Sequence, residues 1–287
     1  MLFTQTMVSL RYYFLALSML LIGIPHGAID HIISSRLYDL KGSISDQLKF
    51  YIPYLLLMFL MALVWILSGI AGFILFVIIT IYHFGQADIE HLDLPDSSKR
   101  VLTISRGLMI LSLVIFVDFN YTLPVIGEAT GVALQEIEWL YNNSYLLAIL
   151  LGLQHPFLMS FLTYQNKERF ELSWWYPVLD SIVILFLFLF NDPIIGFSLY
   201  FALWHSMGHF LEMKDFFNKM GESLSVWKFY KLALPFSSIS LFGLAFIYLI
   251  NNSFGLEEKM VSLLFILISV LTLPHVLVVE KMLKTKR

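Results

Sequence analysis

Trp204-His205-Ser206-Met207-Gly208-His209-Phe210 lies inside a hydrophobic segment that runs from Ile194 to Met213. A bilayer requires about 20 apolar residues of helix, and this segment reads as such a span. Two histidines four residues apart project from one helix face, a turn apart. Imidazole is costly inside a bilayer, so an intramembrane histidine is expected to face the bundle interior with a partner. The same spacing lets one helix offer two nitrogens to a single metal ion.

The rest of the chain agrees with a membrane setting. Of 287 residues, 59% are hydrophobic and 14% charged, whereas ordinary globular chains are nearer half apolar and a quarter charged. The expected fold is therefore all-α, a polytopic membrane helix bundle. The formal net charge of -3 gives no basic excess for nucleic acid, and the absence of cysteine excludes disulfides, Fe–S clusters and thiol nucleophiles. Any metal must be held by histidine, carboxylate or carbonyl. Ile22-Gly23-Ile24-Pro25 is a poor cleavage site, so the first apolar run reads as a retained span.

Nine spans are predicted, at roughly 8–34, 51–68, 70–88, 101–119, 139–164, 174–191, 194–214, 231–250 and 260–280, by length and apolar content. Tyr121 to Glu138 is too polar to cross and reads as an outer loop or short surface helix. No repeat or domain boundary interrupts residues 1–287. Cytoplasmic loops carry the basic residues. On this count, 16 of the 18 Lys and Arg residues fall on one side, and only Arg11 and Lys259 on the other. The pattern predicts an outer N-terminus and a cytoplasmic C-terminus.

Eight histidines are distributed unevenly over this frame. His91 sits in a polar loop with Glu90 and Asp93 and is expected in water. The other seven fall on spans one, three, five, seven and nine, each toward the cytoplasmic end. His26, His205 and His275 lie roughly 9–15 Å from the basic collar at 1.5 Å per residue. In Pro25-His26-Gly27-Ala28-Ile29-Asp30-His31 the carboxylate of Asp30 stands one turn beyond His26. It is expected to accept the ring N–H of that imidazole if the other nitrogen binds a metal. Tyr82-His83-Phe84-Gly85-Gln86-Ala87-Asp88 repeats the theme, but Asp88 is about 140° round a helix of 3.6 residues per turn from His83. It is expected to serve another helix or a water. His155 and His31 are read as hydrogen-bonded packing residues. His275, after Pro274, fits either role. Asp30 and Asp88 have the alternative of facing water at helix ends.

Taken in order, Pro-His-Gly-x-x-Asp in the first span, His-Phe-Gly-x-x-Asp in the third, His-x-x-x-His-Phe in the seventh and Pro-His near the C-terminus resemble the Brp/Blh family. These are bacterial and archaeal β-carotene 15,15′-dioxygenases that make retinal. The resemblance covers His26 to His275. It implies an iron(II) enzyme with four histidine ligands, which by motif are His26, His83, His205 and His209. It also implies β-carotene and dioxygen as substrates, an inner-membrane location, and delivery of retinal to a microbial rhodopsin.

Four neutral imidazoles suit iron(II), among other metals. An alkene has no good donor atom, so the protein must hold one double bond beside the oxygen, which is catalysis by position. The rival class is a histidine-lined transporter or channel for a metal ion or protons. The outer halves of the spans have few ionisable groups to continue such a path. A membrane di-iron desaturase would use adjacent His-His pairs, and none occurs here. A retinal photoreceptor would need a Schiff-base lysine in mid-helix, whereas every lysine falls in a loop or at a helix end.

Overall fold

The computed structural model describes residues 2–40, 42–132, 138–170, 173–254 and 260–286. Among the described residues the regular structure is helical and no strand occurs. The helices are α1 (Leu2–Ser18), α2 (Ile24–Ala28), α3 (Asp30–Leu37), α4 (Ile44–Leu67), α5 (Gly69–Ile89), α6 (Asp96–Phe116) and α7 (Phe119–Thr130). They continue as α8 (Glu138–Gln165), α9 (Tyr176–Leu189), α10 (Pro193–Tyr200), α11 (Met207–Lys219), α12 (Val226–Phe254) and α13 (Met260–Lys286). Their starts follow local chemistry. Ser43 caps α4 by accepting from the Asp46 N–H, and Asp192 caps α10 ahead of Pro193 at the first helical position.

Six helical stretches are long and apolar enough to cross a membrane: Leu10–Leu37, Ile44–Leu67, Gly69–Ile89, Glu138–Gln165, Val226–Phe246 and Phe265–Thr285. A seventh arises if α6 and α7, bent by 97°, count as one span. Exposed side chains on these helices include Phe59, Phe157 and Phe242. That is how a bundle meets lipid, where backbone groups bond within the helix and apolar side chains face out. The chain thus has the make-up of a multi-pass membrane protein.

The nine-span count is not reproduced, and the reasons are local. Helix α9 has 14 residues, about 21 Å at 1.5 Å per residue, short of a bilayer core of about 30 Å. The seventh predicted span is helical from Pro193 to Lys219 but includes a π-helical stretch and ends in polar residues. The polar stretch after residue 119 begins as a helix, started by Asp118, whose carboxylate accepts from the Tyr121 N–H. Lys41, Lys259 and Arg287 of the charge pattern lie outside the described residues.

The chain forms two compact units, each built from three stretches. The first comprises Met1–Met19, Val77–Pro124 and Ala133–His205. Within it α6 packs on α8 and α9, and α10 packs on α1, α6 and α9. Its core includes Met109, Ile110, Leu113, Ala148, Ile184 and Phe188. Glycine sets the approach of α5 to α6 at two points. A Cβ on Gly85 would overlap the Thr103 carbonyl, and a Cβ on Gly107 would overlap the Ile81 carbonyl. Small residues of this kind let membrane helices come backbone to backbone.

The second unit comprises Leu20–Phe76, Val125–Val132 and Ser206–Arg287. Helix α13 packs on α3, α4 and α11, while α12 packs on α2. Ile29, Ile33, Phe216, Phe217, Met282 and Leu283 form its core. Trp65 Nε1 donates to Ser269 Oγ at 2.6 Å and ties α4 to α13. Two π-helical stretches, Met19–Gly23 and Phe201–Ser206, flank or contain the histidine motifs. Such wide turns are rare and recur at functional sites.

Candidate metal centre

In the second unit three imidazoles gather from three helices: His26 on α2, His209 on α11 and His275 on α13. All are buried. The His26 ring centre is 5.8 Å from that of His209 and 5.1 Å from that of His275, and His209 is 5.9 Å from His275. Imidazoles that share one ion, with nitrogen at about 2.1 Å, place their ring centres roughly 4.5–6.4 Å apart, depending on the angle at the metal. The separations are of that order, and a ligand nitrogen of His26 lies within 4.8 Å of one of His275. Glu212, three residues after His209 and also buried, brings a carboxylate oxygen to 3.9 Å from His209 Nδ1, too far for a hydrogen bond.

Pro25 shapes the helix that carries His26. Proline has no N–H to donate to the carbonyl four residues back, which is that of Leu21. The π-helical stretch runs up to Gly23 just before it. The Tyr230 hydroxyl of α12 donates to the Leu21 carbonyl at 2.7 Å, which satisfies an acceptor the proline left open.

Asp30 departs from its expected partner. Its oxygens lie 2.9 and 3.0 Å from His275 Nδ1, and it accepts from the Tyr54 hydroxyl at 3.0 Å. The expectation that it would bond the His26 ring assumed one regular helix. The helix instead breaks at Ile29 (φ -93, ψ -2), with α2 ending at Ala28 and α3 starting at Asp30. The rule for side chains four apart no longer holds across that break. The His26 ring lies against the backbone of Gly23 and Ile22.

In the first unit His83 of α5 and His205 of the second π-helical stretch are both buried, with ring centres 4.9 Å apart. Phe84 and Phe201 pack on the His205 ring at 4.7 and 5.3 Å. Asp88 does not serve a histidine as its hydrogen-bond partner. It accepts from Arg106 Nε at 2.8 Å and from the Tyr200 hydroxyl at 3.1 Å. Arg106 also reaches Asp180 at 2.9 Å and Ser181 at 3.2 Å, and Trp204 Nε1 donates to Asp180 at 2.6 Å. Arg106 is one of the 16 basic residues that the charge pattern places on the cytoplasmic side, yet it is 2% exposed, because carboxylates from α5 and α9 pay for its burial.

The remaining histidines divide as follows. His155 is buried, with Nδ1 2.7 Å from Ser105 Oγ, and His31 Nδ1 lies 3.0 Å from the Ala28 carbonyl with its ring on Phe236. Both are packing arrangements. His91 is exposed. His26, His83, His205 and His209 all fall in the buried imidazole groups, joined by His275. All five are buried, and neutral imidazole is a donor that suits first-row metal ions.

Residues 17–283 match the family model described as beta-carotene 15,15'-dioxygenase. The chain belongs to this family. Members of the beta-carotene 15,15'-dioxygenase family similar to it include one from an uncultured marine bacterium, 66A03. That relative is 26% identical over 264 residues, covering 90% of this chain and 89% of its own length. The probable beta-carotene 15,15'-dioxygenase Blh of Halobacterium salinarum is 23% identical over 291 residues, covering 95% of this chain and 84% of its own length. No solved structure matches the chain.

Proposed function

We propose that this chain cleaves β-carotene with dioxygen at the central 15,15′ double bond and releases two molecules of all-trans-retinal, using iron(II) held by His26, His83, His205 and His209. The observation that carries this reading is the pairing of buried imidazoles, His26 with His209 and His83 with His205, in a chain of this family. His205 and His209 are four residues apart, so one helix can present both to a single ion. Bound iron would supply the activation of dioxygen.

The rest of the work falls to the polypeptide. The imidazoles would hold the ion. Phe84 and Phe201, packed on His205, keep water from it and offer apolar surface suited to a hydrocarbon. No protein acid or base is required, and bond selection follows from position. The substrate and product are apolar, so both move through the bilayer, and a microbial rhodopsin in the same membrane is the natural recipient of retinal.

We further propose that residues 1–287 act as one domain with nine membrane passages in the inner membrane, the short α9 and the interrupted α10–α11 stretch among them, N-terminus outside and C-terminus in the cytoplasm. The one-sided distribution of Lys and Arg supports this, as does the family match over residues 17–283. A periplasmic phosphatase fused after Arg287 should be inactive, and an active one would refute the orientation. The activity itself is tested by expression in a β-carotene-producing bacterium. Orange cells should fade and yield retinal. Cells that keep their colour, with the protein present in the membrane, would refute it.

A further inference from the structure

We infer that His275 is a further ligand of the metal centre, set for that role by Asp30 and Tyr54. The inference rests on the proposed metal site and adds a residue to it.

Tyr54, Asp30 and His275 form a hydrogen-bonded chain. Asp30 is 2% exposed and on α3, Tyr54 is on α4 and His275 on α13, so three helices converge on one carboxylate. Tyr54 donates its hydroxyl to Asp30. The carboxylate is an acceptor, and His275 Nδ1 lies within 3.0 Å of both its oxygens. The ring proton therefore resides on Nδ1. In a neutral imidazole with that proton fixed, the lone pair is on Nε2. Metal-ligating histidines are oriented in this way, with the far nitrogen held by a carboxylate that also raises ligand basicity.

The geometry on the other side of the ring agrees. His275 meets His26 nearly edge-on, at 80° between ring planes with centres 5.1 Å apart, and meets His209 at 59° and 5.9 Å. A ligand nitrogen of His275 lies within 4.8 Å of one of His26, close enough for both to reach one ion. A histidine present only for packing would not require a buried carboxylate at its back, since an unpaired carboxylate in a membrane interior is costly. His31 and His155 show the packing alternative, bonding instead to a backbone carbonyl and a hydroxyl.

The test uses the full-length protein in detergent and reads metal binding directly. Iron(II) affinity and the visible spectrum of the cobalt(II)-substituted protein are measured for wild type, His275→Ala, Asp30→Asn and the exposed control His91→Ala. His275→Ala should weaken metal affinity by at least about 10–100-fold, the range for losing a group that only orients a ligand, and shift the cobalt spectrum. Asp30→Asn, which keeps the side chain's shape, should shift the spectrum in the same direction with a smaller loss. His91→Ala should match wild type. Adding free imidazole to folded His275→Ala should restore part of the affinity. Wild-type affinity and an unchanged spectrum in both His275→Ala and Asp30→Asn would overturn the inference while leaving the four-histidine site intact. A wild-type protein that takes up no metal would overturn both. Metal loss in His275→Ala, with no carotene cleavage by the metal-loaded wild type, would uphold the ligand and refute the function.

Discussion

The hydroxyl of Tyr230 donates to the backbone carbonyl of Leu21, 209 residues away, at 2.7 Å. Leu21 is the residue whose carbonyl Pro25 cannot serve, and His26 follows Pro25 directly. The tyrosine therefore stabilises a break in the helix that presents the first histidine. Tyr230→Phe keeps the ring and removes the donor. It should cost about 1 kcal/mol of stability, the usual worth of one hydrogen bond, and should loosen His26 enough to lower metal affinity. Thermal unfolding in detergent and a metal titration check this. A variant indistinguishable from wild type in both would mean that the proline break holds itself.

A second expectation concerns the close contact of α5 and α6. Gly107→Ala places a methyl group against the Ile81 carbonyl, and Gly85→Ala does the same at Thr103. Both neighbours are backbone, so neither can rotate away. Each variant should lose about 1–3 kcal/mol, the range for overpacking. Because Gly85 is two residues from His83, its variant should also retain less metal. Unfolding midpoints and metal content read the two effects separately.

The buried ion pair of Arg106 and Asp88 gives a third. Removing one partner strands the other. Arg106→Met should therefore destabilise by roughly 3–5 kcal/mol, the range for breaking a buried pair. Arg106→Met with Asp88→Asn should recover much of that loss, because no net charge is then left on Asp88. The Asp180 carboxylate is 41% exposed, so its link to Arg106 is screened by solvent and should matter less. A double variant as unstable as Arg106→Met alone would contradict the pairing argument.

The loop after α11 carries a pH dependence of predictable sign. Arg36 Nε donates to Glu222 at 2.5 Å, and Lys228 lies 3.4 Å from the same carboxylate. The bond from Arg36, with its charge and that of Lys228, holds the Glu222 carboxyl below its ordinary range. A lowered carboxyl pKa stabilises the fold above the ordinary value, and that gain is lost as pH falls through the lowered one. The melting difference between wild type and Glu222→Gln should thus be present near neutral pH and vanish in acid. Being at the surface, it should be small and should shrink with salt.

These relationships mark where sequence reasoning reaches and where it stops. The four histidines could be singled out because their motifs are local and their spacing has a chemical meaning. The all-helical membrane character was legible because length and hydropathy are properties of single segments. Arg106 was misread as a collar residue because its carboxylates come from α5 and α9, and linear charge counting does not see them. Asp30 was assigned to His26 because a regular helix was assumed through Ile29, where the backbone breaks. Its actual partner, His275, is 245 residues away, so spacing carried no signal. The Pro274-His275 motif singled out the residue, and only folding set it against Asp30. The bend after α6 and the π-helical stretch within 201–206 have no periodic signature, so the sequence did not show which apolar runs are broken.

The central claim is that this chain splits β-carotene at its middle with iron held by histidine. Purified protein, loaded with iron(II) and given β-carotene in detergent under air, tests it most directly through the products. The account predicts retinal as the sole aldehyde, close to two for each β-carotene consumed, and none from protein carrying His205→Ala. Longer apocarotenals from an off-centre bond, no aldehyde at all, or full turnover in His205→Ala would contradict it.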